Sequence, residues 1–502
     1  MKILLFYPNL YGMNLLPPAI GLFNSILKKE GFDVRLFDTT MYPDLLVDDN
    51  IHDMAKAKNL NAREFDDSLF EKNKKKSNVK SDFIKIVREF APDLIAMSAT
   101  ESMYMIGINL LKHLGGLKPI VVAGGVFPTC NPELALKVSD GTVDYIIRGE
   151  GELTLPQFCS SLKKNRDISV IPGVCMINDK GKTIISDELG IADINENPLP
   201  DYSIFDDIRF YKPMQGKTRR MLPIETNRGC PFKCGFCNSP TQAQLYKKNN
   251  KQFFRKKKLA KVFEEIILCR DKYKADSLFF WADTFLSMTL KEFDEFCEMY
   301  SEIKLPFWMQ ARIETITEHH MKKLKSIGLL RLNFGIEHGD EKFRASVLNK
   351  KIKNDILVKN INMVAKFGIP IGVNNIVGFP TETRQLAFKT IELNRILPVE
   401  GMNAYTFIPF HGTPLRKLSE DLSLIEKDTL TSSVSGFSPL NMPYFSKNEI
   451  EGIRRCFVLY AKMPLEYWPN IEKAEELSPE GDKIWEDLKA ECLEKFIKYE
   501  TD

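Results

Sequence analysis

Short apolar runs alternate with stretches of helical periodicity along the first third of the chain. The runs that predict strands are Ile3–Tyr7, Val34–Phe37, Leu94–Ser98, Ile120–Ala123 and Tyr145–Ile147. Strands that alternate with amphipathic helices are typical of a parallel sheet covered on both faces. We therefore predict an α/β domain over residues 1–165, built as a Rossmann-like, doubly wound parallel sheet.

Two polar segments interrupt this alternation. The stretch from Met41 to about Asp82 is charged, and we interpret it as an insertion with one or two helices. Residues 166–215 are rich in proline, glycine, aspartate and asparagine, which is typical of a linker. A small hairpin is predicted within this linker around Asp179–Lys182.

The alternation resumes at Leu222 and continues to about residue 415. The predicted strands are Leu222–Thr226, Ser277–Trp281, Phe307–Ala311, Leu330–Gly335, Gly372–Val377 and Ala404–Ile408. The predicted helices between them are Leu259–Tyr273, Leu290–Ser301, Glu318–Ile327, Asp355–Phe367 and Arg384–Ile396. Residues 416–502 show no strand pattern, so we predict a mostly helical C-terminal region with helices at Lys447–Lys462 and Pro479–Tyr499.

The overall composition is that of an ordinary globular protein, with 44% hydrophobic and 27% charged residues. A chain of 502 residues is long enough for about two to four domains with filled cores. The formal charge of +3 is too small to indicate binding to nucleic acid or to a membrane surface. No window offers the ~18 apolar residues that a membrane span requires.

The most informative stretch is a cysteine loop that directly follows an apolar run. Cys230, Cys234 and Cys237 have the spacing C-x₃-C-x₂-C. Three thiolates on one loop can hold three irons of a 4Fe–4S cluster and leave the fourth iron open to a cofactor. A zinc site and three unrelated core thiols are the alternatives. Zinc usually takes four ligands from two paired motifs, and no fourth cysteine or histidine lies near this loop in the sequence.

The other seven of the ten cysteines are scattered without paired spacing. This pattern favours buried thiols in a reducing compartment over a disulfide framework. We therefore expect the protein to be cytoplasmic.

With Phe236 just before its last cysteine, the loop resembles the signature of the radical S-adenosylmethionine superfamily. The resemblance implies that the cofactor's amine and carboxylate chelate the open iron. An electron from an external donor such as flavodoxin or ferredoxin then cleaves the cofactor to a 5′-deoxyadenosyl radical. It also implies a partial (β/α)₆ TIM-type barrel over residues 216–415, with the chemistry at the carboxyl ends of its strands, and a capping role for residues 416–502.

The resemblance implies that S-adenosylmethionine contacts residues at successive predicted strand ends. The residues are Phe236, Asp283, Arg312, Glu337 and Asn375. Asp283 would pair with the methionine amine, Arg312 with the methionine carboxylate or a substrate anion, and Glu337 with other polar groups. Each residue alone could instead serve as a helix cap, a turn residue or a solvated charge.

The loops after the N-terminal strands resemble, in order, those of the cobalamin-binding domain that precedes many radical S-adenosylmethionine domains. The matching sequences are PDLIAMSAT, AGGVFPT and IRGEGE, which begin at Pro92, Ala123 and Ile147. The implied cobalamin contacts are Asn9, Ser98, Thr100, Tyr104, Gly124, Gly125, Gly149 and Glu150.

The chain departs from many cobalamin domains in lacking an Asp-x-His-x-x-Gly loop. None of the six histidines stands in such a sequence; they are His52, His113, His319, His320, His338 and His411. The resemblance therefore implies cobalamin without a protein histidine ligand, with the loop Thr100–Tyr104 beneath the cobalt. The absence fits methyl transfer, and it equally fits a domain that has lost cobalamin.

Together these resemblances imply a cobalamin-dependent radical methyltransferase. A methyl group would pass from methylcobalamin to an unactivated carbon of a small-molecule or peptide substrate. One alternative is ring formation, rearrangement or oxidation by the same cofactors without methyl transfer. A second is a cluster- and ligand-binding sensor that performs no turnover.

Overall fold

The structure is a computed structural model that describes residues 1–45, 58–431, 433–434 and 436–497. The middle of the predicted insertion lies outside the described residues. Two seven-stranded sheets and one two-stranded ribbon organise the rest of the fold.

The first sheet contains the five predicted strands and two more. Its strands are β1 Lys2–Tyr7, β2 Asp33–Asp38, β3 Leu94–Ser98, β4 Ile120–Gly124, β5 Tyr145–Ile147, β6 Val174–Ile177 and β7 Thr183–Ile184. Their order is β2-β1-β3-β4-β5-β6-β7, and the first five run parallel. The predicted doubly wound sheet is confirmed. The linker hairpin β6–β7 adds an antiparallel edge that the sequence pattern did not predict.

The strand order places a topological switch point between β1 and β3. In doubly wound sheets the ligand crevice lies outside the carboxyl ends of the strands at such a point. Asn9 follows β1 there, and Ser98 ends β3.

The second sheet and the ribbon follow residue 210. Their strands are β8 Tyr211–Met214, β9 Lys217–Glu225, β10 Asn227–Arg228, β11 Arg255–Lys256, β12 Ser277–Trp281, β13 Phe307–Ala311, β14 Leu329–Glu337, β15 Ile371–Val377 and β16 Gly401–Thr406. The sheet order is β16-β15-β14-β13-β12-β9-β8, with β8 antiparallel to β9, while β10 and β11 pair separately. Six parallel strands therefore form the open half-barrel that the sequence predicts.

Helices cover the outer faces of both sheets. In the first domain they are Pro18–Lys29, Ser68–Asn73, Val79–Phe90, Glu101–Leu111, Val126–Cys130, Pro132–Ser139 and Gly151–Lys163. In the barrel they are Ser239–Lys248, Leu259–Asp271, Leu290–Tyr300, Glu318–Ser326, Glu341–Ser346, Asn354–Ala365 and Arg384–Arg395. The C-terminal helices are Pro414–Asp421, Lys447–Lys462, Trp468–Ala474 and Pro479–Lys495. Among the described residues, none of these helices combines the length and apolar character that a membrane crossing needs.

Short 3₁₀ turns complete the secondary structure. They are Pro43–Leu45, Lys112–Leu114, Tyr202–Ile204, Asp207–Phe210, Ile313–Thr315 and Leu465–Tyr467.

The barrel strands bury alternate side chains against the outer helices because successive side chains of a strand point to opposite faces. Leu332 and Phe334 of β14 are nearly inaccessible, and so are Leu357 and Ile361 of the helix Asn354–Ala365. The opposite face of these strands is left free to carry polar residues toward the barrel interior.

The C-terminal helix Lys447–Lys462 packs against β16 and the helix Arg384–Arg395. It takes the place of an outer barrel helix. The loops between Thr406 and this helix instead lie over the carboxyl ends of the strands, where the amide of Thr406 donates to the carbonyl of Val434 at 3.0 Å.

We predict that Gly339→Ala destabilises the barrel. A Cβ at Gly339 would lie 2.0 Å from the carbonyl oxygen of Lys389, a main-chain atom with little freedom to move. Overpacking of this kind costs about 1–3 kcal/mol, so the thermal unfolding midpoint of the apoprotein should fall. Gly116→Ala is the matched control because a Cβ there meets nothing within 4 Å. Equal midpoints for the two variants would contradict the packing described here.

Candidate active site

The carboxyl edges of the two sheets face each other. His411, in the loop after β16, contacts Glu101, which follows β3, and the distance from His411 Nδ1 to Glu101 Oε1 is 2.7 Å. Arg228, at the end of β10, pairs with Glu152, which follows β5, at 2.6 Å. Loops from the ends of both sheets therefore meet at these two contacts, and we take the facing edges between them as the candidate active site.

The cysteine loop is held at this edge by main-chain contacts. The amide of Gly235 donates to the carbonyl of Leu348 at 2.8 Å, and the amide of Leu415 donates to the carbonyl of Gly235 at 3.0 Å. Gly229, just before the first cysteine, has φ = +82°, and a Cβ there would lie 2.6 Å from the carbonyl oxygen of Phe253. Only glycine fits that position, so the entry to the loop has one conformation.

The thiols receive hydrogen bonds from this loop and from the barrel. Arg312 Nη1 lies 3.2 Å from Cys234 Sγ, and the amide of Ser239 donates to Cys237 Sγ at 3.4 Å. Burial raises the pKa of the Cys230 thiol to about 11, with smaller contributions from Asp283 and the other two thiols. Because iron binds the thiolate, cluster assembly must release protons from these groups.

The three thiols suit a cluster, with each sulfur binding a different iron. No three histidine, cysteine or carboxylate side chains converge on a single metal ion within the described residues. Sulfurs that bind separate irons need not converge on one point. The spacing of the thiols on one loop and the N–H donors aimed at them therefore fit a 4Fe–4S cluster.

Two of the predicted S-adenosylmethionine contacts lie beside the cysteine loop. Asp283 is open to solvent, yet desolvation by surrounding protein raises its pKa, followed by repulsion from Glu225. A carboxylate with this combination lines a concave space. Arg312 stacks 3.9 Å from the centroid of Phe232 and donates from Nε to Glu314 Oε1 at 2.7 Å.

Glu337 and Phe236 lie at the same end of the barrel. Glu337 has φ = +68°, an uncommon conformation for this residue type, at a bulge in the pairing of β14 with β15. Its carboxylate pairs with Lys350 Nζ at 3.1 Å. Phe236 packs against Phe379, with ring centroids 6.3 Å apart. The main chain at Glu337 thus has a strained geometry of the type that clusters at functional sites.

The side chain of Asn375 points away from the barrel interior. It forms a buried amide pair with Asn394 of an outer helix, at 2.9 and 3.1 Å. The neighbouring Asn374 lies on the opposite face and accepts from Asn403 Nδ2 at 2.8 Å. The sequence carried a signal for this orientation because Asn375 shares its strand parity with the buried Val373 and Val377.

On the opposite edge, Asn9 and Tyr104 are occupied by internal hydrogen bonds. Asn9 Nδ2 donates to Thr40 Oγ1 at 2.9 Å, which ties the end of β1 to the end of β2. Tyr104 is fully buried, and its hydroxyl donates to the carbonyl of Ala135 at 3.1 Å. The segment Thr100–Tyr104, predicted as a loop, forms the N-terminal cap and first turn of the helix Glu101–Leu111. Thr100 is exposed there and Tyr104 is buried.

The glycines of this edge have structural reasons for their identity. A Cβ at Gly125 would lie 2.2 Å from the carbonyl oxygen of Ala99, and its φ is +126°. Gly149 has φ = +87°, and its amide donates to Thr129 Oγ1 at 2.9 Å. Gly124 is less confined, since a Cβ there would make an ordinary contact of 3.5 Å. Like Ser98, these three glycines are partly exposed at the edge.

Glu150 is engaged by arginines of the barrel. It lies 3.2 Å from Arg228 and accepts from Arg255 Nη1 at 3.1 Å. These partners are far along the chain, so the sequence pattern could not reveal them, and no separate signal pointed to Arg228 or Arg255.

Both ring nitrogens of His411, a described histidine at this edge, are engaged. Nδ1 of His411 faces Glu101, and its Nε2 lies 3.2 Å from the carbonyl of Lys427. His113 lies beyond the far end of the helix Glu101–Leu111 and contacts the carbonyl of Asn109 at 2.6 Å. His52 lies outside the described residues.

Two family matches cover the two halves of the site. Residues 224–393 match the Radical SAM superfamily, and residues 57–158 match the B12 binding domain. The chain is 28% identical over 342 residues to an uncharacterized methyltransferase, PH0819, of Pyrococcus horikoshii, covering 67% of this chain and 71% of that protein. It is 22% identical over 335 residues to the cytidylyl-2-hydroxyethylphosphonate methyltransferase of Streptomyces wedmorensis, covering 60% of each.

The fold is similar to that of the radical S-adenosylmethionine methyltransferase TsrM from Kitasatospora setae, solved with cobalamin and a [4Fe-4S] cluster bound. The TM-score is 0.66 at 14% identity, over 98% of this chain and 99% of that one. The chain therefore combines a region of the Radical SAM superfamily with a B12 binding domain in one fold. The cofactors that these two matches imply are a 4Fe–4S cluster, S-adenosylmethionine and cobalamin.

Proposed function

We propose that this chain is a C-methyltransferase that transfers a methyl group to an unactivated carbon of a small molecule. The proposal rests on how much of the chain is similar to methyltransferases. The sequence match to the Pyrococcus horikoshii methyltransferase covers 67% of this chain, and the structural match to TsrM covers 98% of it. When bound, the cluster and S-adenosylmethionine supply a hydrogen-abstracting radical and cobalamin supplies the methyl group. The opposed edges of the two sheets support this chemistry because both groups would border one space.

In this proposal Cys230, Cys234 and Cys237 bind the cluster. Arg312 and Ser239 adjust its reduction potential. Hydrogen bonds to the sulfurs are among the factors that set a cluster's reduction potential. The N–H groups of Arg312 and Ser239 stabilise negative charge on Cys234 and Cys237. Glu314 in turn fixes the orientation of the Arg312 guanidinium.

Asp283 is the proposed partner of the methionine ammonium group. Its carboxylate is open to the site, and its raised pKa reflects desolvation and repulsion from Glu225 without a paired cation. An incoming ammonium would supply that cation. Glu337, Phe236 and Asn374 are proposed to line the rest of the cofactor site, with Asn374 in the role first expected for Asn375.

The barrel interior favours a substrate with hydrogen-bonding groups and little net charge. Amide side chains project from the inner face of neighbouring strands, at Gln310, Asn333, Asn374 and Asn403. Arg331 of the same face is paired with Glu400 at 3.5 Å. The external one-electron donor stays a prediction.

Replacing any one of the three cysteines with alanine should abolish the cluster. Two thiolates leave a second iron without a protein ligand, so the assembly should lose its iron. We expect loss of the broad visible absorbance after anaerobic reconstitution and loss of reductive 5′-deoxyadenosine formation. Cys297→Ala, which alters a buried thiol in the helix Leu290–Tyr300, should retain both. A triad variant that retains both would refute the assignment.

Asp283→Asn should weaken the binding of S-adenosylmethionine to the reconstituted enzyme by roughly 10- to 100-fold, because a charge-assisted hydrogen bond is lost. Equilibrium dialysis of the cofactor measures the effect without turnover. Asp271→Asn on the barrel surface is the control, since its exposed carboxylate pairs with the exposed Arg270 of the same helix. Unchanged affinity in Asp283→Asn would remove this residue from the proposed site.

Methyl transfer itself is tested with S-adenosylmethionine that carries a trideuterated methyl group. The reduced holoenzyme is incubated with a small-molecule extract of its host, and products are compared by mass with those from unlabelled cofactor. We expect a product whose mass rises by the three deuterons, together with S-adenosylhomocysteine and 5′-deoxyadenosine. Formation of 5′-deoxyadenosine and an unlabelled product would instead indicate ring formation, rearrangement or oxidation. Absence of all turnover would favour the sensor.

A further inference from the structure

Two arginines join the cysteine loop to the turn Arg148–Glu152 of the cobalamin domain. Arg228 and Arg255 are opposite each other in the ribbon β10–β11. Arg228 Nη1 lies 2.6 Å from Glu152 Oε1 and 3.2 Å from Glu150 Oε1. Arg255 Nη1 donates to Glu150 Oε2 at 3.1 Å. The ribbon therefore presents two guanidinium groups to one pair of carboxylates.

The network is largely buried, and each of its carboxylates has a cationic partner. The side chains of Glu150 and Glu152 are only 7% and 6% exposed, and that of Arg228 is 20% exposed. Arg228 Nε also donates to Glu225 Oε1 at 2.9 Å. Burial opposes ionisation of Glu150, but Arg255 and Arg228 outweigh it and lower its pKa. Glu150, which the sequence motif places among the expected cobalamin contacts, is thus engaged by two arginines of the barrel.

One end of the network adjoins the cysteine loop, and the other end adjoins the carboxyl end of β5 in the cobalamin domain. Arg228 precedes Cys230 by two residues, and Gly229 between them has no room for a side chain. Glu150 is the N-terminal cap residue of the helix Gly151–Lys163 and follows Gly149, three residues after the end of β5. A displacement of the cysteine loop would therefore move the turn Arg148–Glu152 as well, and the reverse also holds.

We propose that Arg228 is a positioning residue that fixes the cysteine loop at a set distance from the cobalamin-binding edge. Radical transfer between two cofactors depends on where the substrate carbon lies between them, and a misplacement of 1 Å can cost roughly 10²-fold in rate. A guanidinium suits this task because it binds carboxylates in a fixed planar geometry, while an ammonium attracts them as a point charge.

The proposal depends on the assignment of the three thiols to the cluster and is independent of methyl transfer. Failure of that assignment would appear as cluster formation in the cysteine variants. Failure of the methyltransferase proposal would appear in the isotope experiment. Neither outcome determines the distance between the two cofactors, which is the quantity that Arg228 is proposed to control.

The test uses the complete chain loaded with both cofactors. The double variant Arg228→Gln/Glu152→Gln removes the short ion pair, while Glu150 keeps Arg255 at 3.1 Å and Glu225 keeps Lys257 at 3.6 Å. A low-potential reductant such as dithionite is added until the cluster is [4Fe–4S]+ and the cobalt is Co(II). Each then carries an unpaired electron, and pulsed electron paramagnetic resonance reports the distance between them. Lys256→Gln is the matched control because Lys256 neighbours Arg255 in the ribbon but pairs with Glu292 on the surface.

We expect the wild type and Lys256→Gln to share one narrow distance distribution. The double variant should load both cofactors and show a broadened or shifted distribution. Its ratio of 5′-deoxyadenosine to transferred product should also rise, by up to roughly 10²-fold. An unchanged distribution in a fully loaded double variant would overturn the proposal.

Arg228→Lys provides a second test in case the double variant does not bind both cofactors. It retains the positive charge but loses the planar geometry, so the distribution should broaden at normal cofactor content. A wild-type distribution in Arg228→Lys would overturn the proposal. Loss of the cluster in both variants would overturn it as well, because Arg228 would then be needed for the loop to fold at all.

Discussion

The buried polar contacts that hold two strand edges face to face are the constraint on which the rest of the site depends. At one end of the interface Glu101 accepts from His411 and Thr431, and at the other Arg228 bridges to Glu150 and Glu152. Breaking a buried pair by removing one partner typically costs 3–5 kcal/mol. The edges are therefore held in one relative orientation, so the cysteine loop and the carboxyl edge of the first sheet face each other.

The same constraint explains why several residues with ligand-like sequence contexts have structural tasks. Gly125 is a glycine because the main chain of Ala99 leaves no room for a Cβ. Tyr104 fills the core beside Phe127 with its hydroxyl bonded to a carbonyl. A motif that marks a cofactor domain thus includes residues that support the edge as well as residues that are free to contact a ligand. Thr100 and Ser98 are of the second kind.

Most charged side chains on the barrel side of the site have a partner of opposite charge. Lys350 pairs with Glu337, and Glu314 orients Arg312 toward Cys234. Asp283 differs from these residues because repulsion from Glu225 and desolvation raise its pKa. An unneutralised carboxylate in a concave space is a natural position for a cationic ligand group. This contrast separates Asp283 from the carboxylates that only maintain structure.

The sequence by itself determined the two α/β units, the strand positions and the cysteine loop, because these depend on local periodicity and spacing. Val34–Phe37 and Ser277–Trp281 are strands for reasons contained in a few neighbouring residues. The orientation of Asn375 could also be predicted locally, because Asn375 alternates in step with the buried Val373 and Val377 and therefore lies on their face of the strand. The engagement of Glu150 by Arg228 and Arg255, and of Glu101 by His411, was decided only by the tertiary structure. Such pairs join residues far apart in the chain, and nothing in local periodicity specifies which charges will meet when two sheets close on each other.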